Sequence, residues 1–382
     1  IKKIKIVDPA CGSGSFLIGA YAYILDYHQK WYSTNQKNKT FLADWYKTKD
    51  GEIKVSLDKR GDILRNNIFG VDIDKEATEV AIMSLYLKML DDGFDKGERD
   101  LFFIKGSILP DMINNVKCGN SLVSTDYCDD ILKFEISELK IIKPFSWESE
   151  FKEIFNGRSG FDIVIGNPPY AYRNSTEELL RDYYLKTYES AEGNFELYKF
   201  FIENNLKICN NDGFTGIIVS ASFLVQASFE KLRKFILKSS SIVELSPLGP
   251  GVFDTATVDT TILITQNKKI DDNKIKIKTP ENPTEISENI EYYISQNRFQ
   301  KNNNSLFDYK LSDNEAKITD KIFNNFPVIE TGFEFGVGIN TGYIKDKLVS
   351  DSQKDSSYHP MVPGTGISRY GSVNTKGWIM YD

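Results

Sequence analysis

Residues 4–14, Ile4-Lys5-Ile6-Val7-Asp8-Pro9-Ala10-Cys11-Gly12-Ser13-Gly14, decide the fold. Residues 4–8 read as a short buried strand, and Ser15–Tyr32 carries the apolar spacing of a helix. Glycines between a strand and a helix let the chain turn tightly and bring its backbone close to a ligand. This loop is not the full G-x-G-x-x-G fingerprint, because the third glycine position holds Leu17. No Gly-Lys-Ser/Thr follows, so it is not a Walker loop either. The pattern points to a small-molecule cofactor with little demand for phosphate contacts, with an ordinary strand-to-helix turn as the alternative.

Strand and helix signals alternate from there. Residues 68–73 read as a buried strand and 75–91 as a helix, with Asp74 as its expected N-cap. Asn120 and Ser121 fall in a turn after Val116-Lys117-Cys118-Gly119. Residues 161–166 read as a central strand, 195–209 as a helix, 214–220 as a strand and 228–238 as a helix. Val243-Glu244-Leu245 and Thr260–Thr265 are late strands with no clear helix between them, which allows an antiparallel edge. The alternation predicts an α/β fold with a mixed, mostly parallel central sheet. The polar residues 33–60 read as an insertion in the first crossover, and 268–288 as a linker or exposed excursion. Beyond 270–290 the periodicity is too poor to name a fold.

The 382 residues suit two or three domains. With 47 basic and 54 acidic side chains the net charge is -7, which excludes a wholly basic nucleic-acid clamp but not a local basic groove. Only two histidines, His28 and His359, are present. That argues against a histidine metal centre and against histidine proton relays. Cys11, Cys118, Cys128 and Cys209 have neither zinc nor disulfide spacing, and a reducing, intracellular location is inferred from that. No apolar run reaches 18 residues, so no membrane span is expected.

Asp72, at the end of the second strand in Gly70-Val71-Asp72-Ile73-Asp74, is placed to accept hydrogen bonds from both hydroxyls of a ribose. Ile73 would then offer an apolar surface to an adenine ring. The sharpest local signal is Asp162-Ile163-Val164-Ile165-Gly166-Asn167-Pro168-Pro169-Tyr170. Two prolines at a strand end fix two φ angles and remove two donors, and Pro168 pushes Asn167 out of the helical region. The resulting stiff corner presents an amide, bare carbonyls and an aromatic ring. Two acceptors there can hold a primary amine by its N–H groups while Tyr170 stacks on the attached ring. Such an arrangement suits methyl transfer to a poorly nucleophilic amine, where alignment and dipoles supply the catalysis and no strong base is needed first.

Together these residues resemble the gamma-order adenine-N6 DNA methyltransferases, and in particular the methyltransferase portion of fused, type IIG restriction–modification enzymes. Asp8, Ala10, Cys11, Gly12 and Gly14 resemble the family's first cofactor motif, and Asp72 with Ile73 the second. Asn120, in Lys117-Cys118-Gly119-Asn120-Ser121-Leu122, resembles the third, where many relatives carry Asp. Asn167-Pro168-Pro169-Tyr170 matches the catalytic motif, so the resemblance implies that Asn167, Pro168 and Tyr170 act on the acceptor base. Phe253 resembles the aromatic on the other face of that base, sandwiching it with Tyr170. The resemblance covers residues 4–266 and implies a Rossmann-like domain over 1–270 that uses S-adenosyl-L-methionine and no metal. It also implies the beginning of a target-recognition domain over 271–382.

The implied partner is double-stranded DNA, from which the adenine is flipped, and the implied setting is the cytoplasm of a prokaryotic cell. Basic residues available for DNA contact in the second region are Arg298, Lys301, Lys310, Lys317, Lys321, Lys345, Lys347, Lys354, Arg369 and Lys376, with acidic residues interleaved. Oligomeric state and recognition sequence are not legible. The start at Ile1 and the stop at Asp382 read as an excised piece of a larger polypeptide. The competing enzymatic reading is a protein glutamine-N5 methyltransferase, and the non-enzymatic one a DNA-recognition fragment that kept the fold.

Overall fold

The computed structural model describes residues 3–91, 109–127, 136–170, 180–192, 196–252, 258–282, 285–326, 339, 341, 345–367, 371 and 373–381. The chain divides into two compact units, Ile1–Ala316 and Lys317–Asp382.

The first unit is built on a nine-stranded sheet. Its strands are β1 (Ile6–Asp8), β4 (Ile68–Asp72), β5 (Val116–Cys118), β6 (Phe161–Gly166), β7 (Cys209–Ser220), β8 (Ser241–Gly249), β9 (Thr260–Gln266), β10 (Lys274–Asn282) and β11 (Glu285–Ser295). A separate hairpin pairs β2 (Trp45–Lys47) with β3 (Ile53–Val55). The large sheet runs in the order β11-β10-β8-β9-β7-β6-β1-β4-β5. From β5 to β7 every pairing is parallel. β9 lies antiparallel between β7 and β8, β10 is parallel to β8, and β11 is the antiparallel edge. The mixed, mostly parallel α/β sheet and the antiparallel late strands agree with the reading from sequence.

Helices cover the sheet where its strands are continuously apolar, as buried parallel strands require. Helices α1 (Ser15–Thr34), α2 (Leu57–Asn67) and α3 (Lys75–Leu90) bury Leu17, Tyr21, Leu64, Leu85 and Met89 with Ile6 and Ile68. A second cluster on β1, β4 and β6 is aromatic: Phe69, Phe145, Trp147, Phe151 and Phe161. The third joins the helices Leu197–Ile208 and Glu230–Ser239 to the late strands. Asp74 caps α3, its side chain accepting from the Glu76 N–H at 2.9 Å.

Three expectations need correction. The chain does not divide at 270/271, where the domain boundary was expected. β10 and β11 belong to the large sheet, so the first unit runs to Ala316. The segment 268–288 is accordingly no simple linker: Ile275 and Ile277 point into the core while Lys274, Lys276 and Lys278 alternate with them. Residues 33–60 are more than a polar insertion. Ile53, Val55 and Leu57 are buried, and fully buried Arg60 donates to the carbonyls of Val55 at 2.8 Å and Met89 at 3.0 Å, tying hairpin and α2 to α3.

In the second unit β14 (Trp378–Met380) pairs antiparallel with both β12 (Val349–Ser350) and β13 (Tyr358–Pro360), burying Tyr358 and Ile379.

Candidate active site

The chain leaves β1 to form β4 and β5 on one side, then returns to form β6 on the other. In open α/β sheets such a reversal opens a crevice at the carboxyl ends of the strands, where ligands bind. The glycine loop follows β1, Asp72 ends β4, and Asn167 follows β6. All of these lie at that edge.

The loop is held from several sides. Cys11 N–H donates to the Val71 carbonyl at 3.0 Å and Gly14 N–H to the Cys11 carbonyl at 2.8 Å. Gly12 has φ 51°, a left-handed conformation that favours glycine, with open space where a side chain would stand. Gly14, at φ 88°, starts α1 against Ala81; a Cβ there would sit 3.1 Å from that residue's Cβ. Asp72 accepts from Gly12 N–H at 2.8 Å and from Asp74 N–H at 2.9 Å. An ionised carboxylate has about four lone-pair sites, so two backbone donors orient it without saturating it. Ile73 beside it is exposed. Cys11 is buried, and burial raises its thiol well above the usual range.

Asp8 differs from Asp72. It is 2% exposed, and its Oδ1 accepts from Ala10 N–H at 3.0 Å. Burial, with a smaller contribution from the Asp72 charge, pushes its carboxyl up to about 7. The same oxygen faces β6: a methyl group placed on Gly166 would stand 2.6 Å from Asp8 Oδ1. The carboxyl behind the glycine loop thus touches the residue before Asn167.

At that corner Asn167 is half-buried, Pro168 buried, Pro169 exposed and Tyr170 half-buried. The Asn167 amide makes no hydrogen bond among the described residues. The residue is part-exposed and its amide is not among the buried polar atoms left without partners, so solvent reaches it and a ligand can take the place of that water. Tyr170 packs against the apolar core and meets Tyr198 edge-on, with ring centroids 5.9 Å apart; burial raises its phenol to about 12. Phe253 lies outside the described residues.

Asn120 sits after β5, its N–H on the Lys143 carbonyl at 2.8 Å and its Oδ1 accepting from Leu122 N–H at 3.0 Å. The structure adds residues that the sequence reading did not single out. The Ser121 hydroxyl donates to the Pro9 carbonyl at 2.5 Å and locks the third turn onto the glycine loop. Lys143 Nζ donates to the Ile73 carbonyl at 2.8 Å. Tyr198 backs Tyr170 and itself stacks on Phe229. Only the adjacency of Ser121 to Asn120 was a usable signal for any of them. Arg298, read as available for DNA, is instead engaged with the Leu311 and Asp308 carbonyls. Among the described residues no three His, Cys, Asp or Glu side chains cluster as a metal ion requires, and no helix is long and apolar enough to cross a membrane.

Comparison with known proteins gives two family matches. Residues 66–253 match the family described as Eco57I restriction-modification methylase, and residues 2–105 match N-6 DNA Methylase. The type II restriction enzyme and methyltransferase RM.Eco57I of Escherichia coli is 31% identical over 70% of this chain and 25% of its own length. A putative type II restriction enzyme and methyltransferase of Methanocaldococcus jannaschii is 24% identical over 97% of this chain and 39% of its own length. Among solved structures, the DrdV–DNA complex shares the fold over 82% of this chain and 29% of its own, with TM-score 0.50 and 13% identity. The chain therefore spans a quarter to less than a half of the curated relatives it matches. It carries a domain related to the methyltransferases of type II restriction–modification systems.

Proposed function

We propose, from that relationship, that the chain transfers a methyl group from S-adenosyl-L-methionine to the exocyclic N6 amine of an adenine flipped out of a specific double-stranded DNA sequence. It would do so as the modification part of a restriction–modification protein. The observation that carries this reading is the unpartnered Asn167 amide at the end of β6, with Asp8 beneath the preceding residue and the glycine loop beside it.

The residues present fit the cofactor. The open space at Gly12 admits a close ligand, the Asp72 carboxylate keeps acceptor sites for ribose hydroxyls, and Ile73 offers an apolar surface to the adenine. Asp8, Ala10, Cys11 and Gly14 shape the loop, and Asn120 lines the adenine side. When bound, the cofactor supplies an activated methyl on a sulfonium. The chain's part is orientation. The Asn167 amide oxygen and a carbonyl of the proline pair accept the two amine N–H groups and turn the nitrogen lone pair out of conjugation. Pro168 keeps that corner stiff. Tyr170 stacks on the extruded base, with Phe253 assigned to its other face. Positive charge that develops on the amine is stabilised by the same two dipoles, and its proton passes to water after transfer.

The test uses the full-length protein. Asn167→Ala should lower methyl incorporation into DNA by about 10²–10³-fold or more, as loss of a transition-state hydrogen-bonding group does. Calorimetric binding of S-adenosylmethionine should change little. Retained transfer would refute the assignment.

A further inference from the structure

A cavity of about 360 Å³ opens at the same edge of the sheet and is lined by Ser222, Gln226, Asp259, Phe307, Tyr309 and Lys310 among others. This falls within the usual range of small-ligand sites, about 300–1,000 Å³. The sheet register locates it. Gly166 pairs with Ile217 of β7, and Ser220, three residues on, pairs with Thr260 of β9. Ala221 N–H donates to the Asp259 carbonyl at 2.8 Å. Two strand spacings and three residues of rise put the cavity on the order of 10–15 Å from Asn167. That distance is a few base steps of duplex at about 3.4 Å each. Packing links the two sites: Tyr170 meets Tyr198, Tyr198 lies beside Ser220, and the Ser220 hydroxyl donates to Ser222 Oγ at 2.9 Å.

The walls are built rather than incidental. Fully buried Arg233 donates through one amine to the carbonyls of Phe223 and Gln226, each at 2.7 Å, and through the other to that of Asn304 at 2.9 Å. Phe307 N–H donates to the Leu224 carbonyl at 3.0 Å, and the Phe307 ring stacks on Phe299. These bonds fix the Ala221–Gln226 and Asn304–Lys310 segments against each other. Of the two carboxylates at the rim, Asp308 is turned to Arg298 at 3.6 Å. Asp259 makes no ion pair among the described residues.

Two carboxylates against one lysine disfavour a phosphate here. A flat ring carrying an amine suits the site: a carboxylate accepts its N–H, a carboxamide both donates and accepts, and the part-exposed Tyr309 ring, with Lys310 Nζ 6.0 Å from its centroid, offers a stacking surface. We propose that this cavity is a nucleobase subsite. It takes a base of the DNA near the acceptor adenine, one with an exocyclic amine, read by Asp259 and Gln226 and stacked on Tyr309. The inference rests on the DNA-methylation reading above and adds a specificity determinant on the catalytic unit itself.

The test is a methylome. The full-length protein is expressed in a bacterial host free of adenine methylation, and modified positions are mapped across the genome by long-read sequencing. The wild type defines a motif. Asp259→Asn should relax or switch the preference at one motif position by about tenfold or more, the scale of a direct base contact. All other positions should hold. Gln226→Leu, in the same lining, should affect the same position. An unchanged motif in both folded variants overturns the subsite, and so does uniform loss across all motifs at unaltered thermal stability. A wild type that methylates no DNA overturns the underlying reading, and the subsite with it.

Discussion

Asp8→Asn should make the protein more stable at alkaline pH and leave it little changed in acid. Burial holds the Asp8 carboxyl near 7 instead of its ordinary 3.8. At about 1.4 kcal/mol per pH unit the difference amounts to ~4 kcal/mol. The sign follows from proton binding. The native state holds the proton more tightly, so the stabilisation is fully present below 3.8 and is lost as pH rises through about 7. Roughly 3 of the ~4 kcal/mol disappears between pH 5 and pH 8. Asparagine cannot ionise, and its oxygen can still accept from Ala10 N–H. For a unit ending at residue 316, an unfolding entropy of about 2.1 cal/mol/K per residue gives ~0.7 kcal/mol/K. The melting temperature of the variant should therefore gain on the wild type by roughly 4 °C between pH 5 and pH 8. Scanning calorimetry of both proteins at both pH values measures it. Parallel pH dependences, within about 1 °C, would show that Asp8 is ionised in the native state and that the burial argument is wrong.

Other substitutions probe neighbouring contacts. Asp72→Asn removes the charge oriented by Gly12 and Asp74, and should weaken S-adenosylmethionine binding by about tenfold or more in a calorimetric titration; an unchanged affinity would remove Asp72 from the cofactor site. Gly14→Val puts a branched side chain at φ 88° against Ala81, and should lower thermal stability by about 2 kcal/mol or more while cofactor binding is lost; a variant with wild-type melting and affinity would contradict the loop geometry. Arg60→Leu strands the Val55 and Met89 carbonyls in the interior at about 1–3 kcal/mol each, read as a drop in denaturation midpoint, and a shift under 1 kcal/mol would mean water reaches them.

How far the sequence revealed this structure depends on whether the signal was local. The β1 loop, β4 and β6 were legible because each joins an apolar run to residues with special backbone demands: Gly12 and Gly14 at positive φ, and Pro168 after Asn167. The strand Lys274–Asn282 was not read although Lys-Ile-Lys-Ile-Lys alternates with period two. Its charges, and Pro280 beside the register shift between Pro280 and Asn282, gave it the composition of a loop. Only pairing to β8 shows where Ile275 and Ile277 go. α2 was hidden for a different reason. Lys59 and Arg60 are polar in the sequence and buried in the fold, and the oxygens that satisfy Arg60 come from a hairpin before it and a helix after it. No window of adjacent residues contains that information.

The same distinction applies within the site. Asp8 and Asp72 end adjacent parallel strands and look alike in sequence, yet their surroundings separate them. Asp72 points to the loop, is met by two backbone donors, and remains open to a ligand. Asp8 turns inward, is met by one, and lies against Gly166, where a single methyl group would displace it. In the proposed cofactor site the first would bind, while the second joins: it fixes the spacing between the glycine loop and the corner that carries Asn167. Because neither strand end can shift without moving this carboxyl, in the methyl transfer proposed above the sheet itself would set the alignment of donor and acceptor. That rigidity is what a reaction that relies on orientation in place of acid–base chemistry requires.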